Sequence, residues 1–349
     1  MHAVVSGRRW LFAAGAVVAC TLTSHPAQAD VDLGNGGQGE VDTSNKRDGQ
    51  NLESRITYTG STRGSDGKSS GRVTPVGDWK PPACWYEPYS AKTFAEHTEG
   101  GYDLVANDPK QPSYAKSAVA QFRDIYKDGE YKDYNLDKAS EGNWWVGTRD
   151  PDRWLESEAQ TCNKLPFWVV NGEQPNVPNA ITPEILAHLA YSQLRLPDTK
   201  VDLAPEGVTK VNLPTWAWLD ESKFKPVEVT ARLNVNGLNL QATTTAKPIS
   251  LKLEPGTKDA ALHPASGECT FSASGSIGES FAKGRAQETP PCGITYLRSS
   301  GNGTYKLQAT VTWSISWTGT GSPNATGLPN GTFGNDQAVT VQEIQTINR

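Results

Sequence analysis

Three pairs of carboxylates stand close enough along the chain to suggest the acid and base of a glycoside hydrolase. They are Asp150 and Asp152 in "TRDPDRW", Glu156 and Glu158 in "LESEA", and Asp220 with Glu221 in "WLDES". All sit in polar runs or at turn positions, where solvated surface charge is the simpler reading. Beyond residue 29 the histidines are His97, His188 and His263. None has a metal-ligating residue three or four positions further on, so a solvated or hydrogen-bonded ring is the simpler reading for each. No H-E-x-x-H occurs, and no glycine-rich stretch has the strand–turn–helix setting and lysine that cradle phosphate. No catalytic residue, cofactor, nucleotide or metal ligand is therefore assigned.

Tryptophan is the unusual ingredient, with ten beyond residue 29: Trp79, Trp85, Trp144, Trp145, Trp154, Trp168, Trp216, Trp218, Trp313 and Trp317. Exposed tryptophans bind sugar faces or anchor protein interfaces. Adjacent Trp144 and Trp145 on a strand must point to opposite faces, so one is outward if only one face is covered. Trp216 and Trp218 in "LPTWAWLD" share one side of an extended segment, as a packed junction or as a ligand platform. In "TYKLQATVTWSISWTG", residues 304–319, the odd positions are apolar and the even ones polar. Trp313 is then core, while Trp317, beside the turn at Gly319, is either a core cap or exposed.

The first 29 residues read as a secretory signal peptide. Arg8 and Arg9 precede an apolar "WLFAAGAVVAC", which is shorter than the ~20 residues of a membrane span. "AQA", residues 27–29, then has the form of a cleavage site. A "VVAC" lipoprotein box offers lipidation at Cys20 as the alternative, and "GRRWLF" matches a twin-arginine signal. Either cut leaves Cys84, Cys162, Cys269 and Cys292, with no C-x-x-C, and so two structural disulfides with three possible connectivities. Removing residues 1–29 takes away two arginines and no acid, leaving 31 basic against 38 acidic residues and a net charge of −7. That balance, with no Lys/Arg stripe, argues against nucleic acid as a partner.

These residues need elements to hold them. Residues 30–72 carry nine glycines and few aliphatics, a composition for a flexible leader in which "SRITYTG", residues 54–60, could add an edge strand. Residues 73–213 read as an α+β module. Its helices are placed at 90–98 (capped by Ser90), 113–131 (capped by Ser113) and 182–197 (capped by Thr182, with Pro183 at the first turn). "NWWVG", residues 143–147, and "KLPFWVVNG", residues 164–172, read as its strands. From Pro226 onward the period changes from 3.6 to two, and "VEVTARLNV" ends on Asn236-Gly237, a hairpin dipeptide. Residues 214–349 are thus expected to form an all-β immunoglobulin-like sandwich. With one disulfide inside each part, Cys84 pairs with Cys162 and Cys269 with Cys292.

At "VNLPTWAWLD", "HPASGECTFSASGSIG", "TPPCGITYLRSSGNGTY" and "ATVTWSISWTGTG…VTVQEIQTINR" the chain resembles a family of exported proteins common in actinobacteria, over roughly residues 73–349. The resemblance implies an extracellular or cell-surface location and carries no reaction or site. The leading expectation is a non-enzymatic secreted or cell-surface protein that contacts another protein of an envelope or secretion assembly. Two readings compete with it. One is a cell-wall glycan-binding module using Trp144, Trp145, Trp216, Trp218 or Trp317. The other is a hydrolase without a recognisable motif.

Overall fold

The computed structural model describes residues 57–60 (backbone only), 71–220, 222–272 and 276–344. The stretch read as a signal peptide, Cys20 and most of the stretch read as a leader lie outside these residues. Strands β1 (Thr57–Gly60), β2 (Gly71–Arg72), β3 (Thr74–Pro75) and β4 (Cys84–Tyr89) lead to helices α1 (Ala91–Ala106) and α2 (Ser113–Lys127). Next come β5 (Gly142–Arg149), β6 (Phe167–Val170), helix α3 (Pro183–Ser192), β7 (Arg195–Leu196), β8 (Asp202–Ala204), β9 (Val208–Lys210) and β10 (Pro214–Trp218). The remainder is β11 (Val227–Val235), β12 (Leu238–Glu254), β13 (Ala260–His263), β14 (Glu268–Thr270), β15 (Gly293–Tyr296), β16 (Tyr305–Gly319) and β17 (Ser322–Gln342). The described chain is therefore mostly β-sheet with few helices.

The large sheet runs β1-β11-β12-β16-β17-β3, with β14 added beside β12 and β9 parallel to β17. Its first strand is the tail of "SRITYTG", with Thr57–Gly60 antiparallel to Val229–Arg232. Smaller sheets are β13-β15-β10-β8, β4-β5-β6 and β2-β7. The β11–β12 hairpin turns on Asn236 and Gly237, both at positive φ, as a two-residue primed turn requires.

On β16, Leu307, Ala309, Val311, Trp313, Ile315 and Trp317 are all buried. One face of β16 is thus covered along its length. Under α3 the inward residues of β12 are Ala242, Thr244 and Ala246. They are small enough for the helix to lie close, and the Thr244 hydroxyl donates to the Ala187 carbonyl at 2.9 Å. Toward the other end β12 turns in Leu251 and Leu253, and Tyr296 of the small sheet stacks on Tyr305 with ring centres 5.3 Å apart. The core draws on both sides of residue 213: Leu186 and Leu194 belong to the same cluster as Ala231 and Trp313.

A second, aromatic core forms where α1 and α2 cover the β4-β5-β6 sheet. Trp144 is at its centre, 4.7 Å from both Phe94 and Tyr131, and its Nε1 donates to the Tyr134 carbonyl. The disulfides are Cys84–Cys162 and Cys269–Cys292. On a chain-entropy basis loops of this length stabilise by about 4–5 and about 3 kcal/mol respectively. They point to an oxidising, extracellular environment. No helix among the described residues is long and apolar enough to cross a membrane.

Several boundaries differ from the sequence expectations. Helix α1 continues past Thr98 through Gly100 and Gly101, although each interior glycine costs about 1 kcal/mol relative to alanine. Pro112, not Ser113, occupies the cap position of α2 and supplies no side-chain acceptor. Helix α3 stops at Ser192, because Arg195–Leu196 pairs with Gly71–Arg72. The glycine- and proline-containing stretch "SPNATGLPNG" is the first half of β17: the long β16 edge draws its backbone into the ladder.

Candidate functional site

The residues singled out by the sequence are mostly interior. Trp144 and Trp145 point to opposite faces, but both faces of β5 are covered. Trp144 fills the aromatic core and Trp145 the main one. Trp216 is buried beneath the disulfide-closed 269–292 loop, whose Arg285 guanidinium lies 4.4 Å from its ring centre and whose Phe281 lies 6.0 Å away. Trp317 is buried beside Trp313, and Trp218 is partly exposed. The structure does not bring these five together into one surface.

Each carboxylate pair has a local structural task. Asp150 accepts from the Asp152 backbone N–H, closing a turn, and Asp152 pairs with Arg72. Glu156 and Glu158 both bind the Arg153 guanidinium. Asp220 accepts from the backbone and hydroxyl of Ser222, and Glu221 lies outside the described residues. Among the histidines, His188 meets the Trp79 ring edge-on at 5.3 Å and burial pushes its imidazole pKa down. His263 Nε2 lies 3.0 Å from the Thr295 hydroxyl, and His97 lies 5.5 Å from Tyr89.

One carboxyl was not foreseen. Glu87 on β4 is buried and faces three donors: Trp85 Nε1 at 3.1 Å, the Thr148 hydroxyl at 3.1 Å and the Tyr89 hydroxyl at 3.4 Å. Burial outweighs these hydrogen bonds and pushes its pKa up to about 7. Its place inside a sheet, out of reach of solvent, makes it a structural acid.

The loop after β5 carries an exposed apolar pair. Trp154 and Leu155 are 50% and 76% exposed, adjacent, at its tip. The loop beneath them is clamped. Successive backbone bonds join Asp150 to Ala83, Arg153 to Asp150 and Glu156 to Arg153. Arg153 also donates to the Pro81 carbonyl, and Gln160 Nε2 donates to the Trp154 carbonyl at 2.6 Å. The Cys84–Cys162 bridge ties the far end of the loop to β4. "RWLE" reads as a polar surface turn in sequence, and the bracing that makes its apolar pair stand out is a tertiary property.

Comparison with known proteins finds no matching family model, no matching curated protein and no matching solved structure.

Proposed function

We propose that this is a non-enzymatic exported protein that docks another protein of a surface or secretion assembly, and that the Trp154–Leu155 tip is its anchor. The observation that carries the reading is a large apolar pair exposed on a clamped loop. Tryptophan is enriched among interface hot spots, and a rigid loop loses little ordering entropy on binding. The partner chemistry this fits is a protein pocket with an apolar floor. The paired cysteines and the resemblance to exported proteins support the location. The immunoglobulin-like reading of residues 214–349 belongs to the same proposal, supported by two antiparallel sheets that share one core. A tryptophan platform for glycan has less support, since of its five candidates only Trp218 is partly exposed. The docking reading is tested with a Trp154→Ala/Leu155→Ser double variant. Both side chains are exposed, so its melting temperature should match the wild type while the partner's apparent Kd rises tenfold or more. An unchanged Kd would overturn the reading.

A further inference from the structure

Strand β1 covers only part of the β11 edge. Thr57–Gly60 pairs with Val229–Arg232, and among the described residues no strand pairs with residues 233–235 on that side. An open sheet edge presents unpaired N–H and C=O groups that can take up a further strand. The β1–β11 pairing is antiparallel, so the chain before Thr57 is aimed along β11 toward the Asn236-Gly237 turn.

The register fixes what each preceding residue would meet. Continued one for one, it sets Ile56 opposite Leu233, Arg55 opposite Asn234 and Ser54 opposite Val235. Opposite residues of an antiparallel pair share a face of the sheet. Leu233 and Val235 are buried, and Asn234 is exposed. In "NLESRI", residues 51–56, positions 52, 54 and 56 then fall on the inward face as Leu, Ser and Ile. Glu53 and Arg55 fall on the outward face. This is the alternation of a one-sided strand. A slip of one residue would turn both charges inward, so the sequence selects the same register that β1 already holds.

Past Ser54 the strand meets an apolar seat. Position 52 lies two residues, about 7 Å, beyond the one opposite Val235. At that end of the hairpin a recess opens, lined in part by Val169, Val170, Leu238 and Leu240. Val169, Leu238 and Leu240 are partly exposed and Val170 is 48% exposed, so the recess offers accessible apolar surface. Asn236 Nδ2 donates to the carbonyls of Ala139 and Gly142, which holds the turn against the start of β5.

We infer that residues 52–56 extend β1 along the open β11 edge and seat Leu52 in this recess, so that the occupant is the chain's own N-terminal segment. Its direct tether to β1 gives it a high effective concentration at the seat, which a separate apolar peptide would have to overcome. The site shares no residue with the Trp154 tip, so the two proposals fail separately.

Hydrogen–deuterium exchange on the full exported chain tests it. The amides of residues 52–56 are expected to exchange at least tenfold more slowly than the reference rate for an unstructured peptide of that sequence, and equally slowly after tenfold dilution. A Leu52→Asp/Ile56→Asp double variant should return them to the reference rate while peptides containing Phe94 or Trp313 keep their protection. Leu238→Arg, which fills the recess from a partly exposed position, should speed exchange at residues 52–54 severalfold. Exchange of the wild-type segment at the reference rate would overturn the inference. So would protection that falls on dilution, which would assign the contact to a second copy of the chain, or protection that either variant leaves unchanged.

Discussion

At the residue scale the buried groups decide what the molecule tolerates. Glu87 has a folded pKa of about 7 against an ordinary value of 4.5, because burial disfavours its charge. Between those values the folded state keeps a proton that the unfolded chain has lost. This group therefore lowers stability as pH rises from about 4.5 to about 7, by roughly 3 kcal/mol, and no further above that. Glu87→Gln should be more stable than wild type at pH 8 and close to it at pH 5, as read from urea melts at both values. An equal gap at the two pH values would contradict this. Glu99 acts in the opposite sense. Burial favours its neutral form, but hydrogen bonds from Arg123, Lys127 and Tyr134 bring its pKa down to about 2. Its contribution is present above about 4.5 and is lost as pH falls toward 2. Trp313 is fully buried, and Trp313→Ala should cost about 3–5 kcal/mol in a chemical melt. The place of Trp313 was legible from strict alternation along one strand. The packing of Trp216 was legible as a junction, but the burial of Trp145 was not, because what covers it comes from other parts of the chain.

At the scale of elements, local signals held where one rule acted alone. The span of β11, the Asn236-Gly237 turn and the Thr182 cap of α3 are all written in short stretches. Where a neighbouring element decides, the sequence misleads. β12 continues across a bulge between Pro248 and Ser250, and glycines in β17 tolerate pairing because β16 supplies the partners. Gly331 also leaves room that a Cβ would take from Val73 and Tyr191. The turn at Lys132, Asp133, Tyr134 and Asn135 is least legible of all, with four successive positive φ values of 33°, 44°, 60° and 58°. It is held by Tyr134, whose hydroxyl donates to Glu99 at 2.7 Å and whose carbonyl accepts from Trp144. Left-handed backbone costs an L-residue roughly 1–2 kcal/mol, so Lys132→Gly at this exposed position should stabilise by about 1 kcal/mol in a thermal melt. A loss of similar size would mean that the Lys132 side chain matters more than its backbone strain.

At the scale of the whole molecule, the Cys84–Cys162 bridge and the bonds to Ala83 and Pro81 hold up a clamped apolar tip. The cysteine pairing was legible because each pair closes a loop within one stretch of chain. The tip was not, because "DPDRWLES" shows its rigidity only through Ala83, Pro81 and Gln160, residues outside or at the margin of the stretch. The central claim is that Trp154 and Leu155 meet a protein partner. Its most direct test is site-specific photo-crosslinking, with a photoreactive phenylalanine at Leu155 and, as control, at Thr310 on the polar face of the large sheet. In the exported fraction of the producing cells, one discrete protein adduct is expected from position 155 and none from position 310. No adduct at 155, or the same adduct at both positions, would contradict the claim.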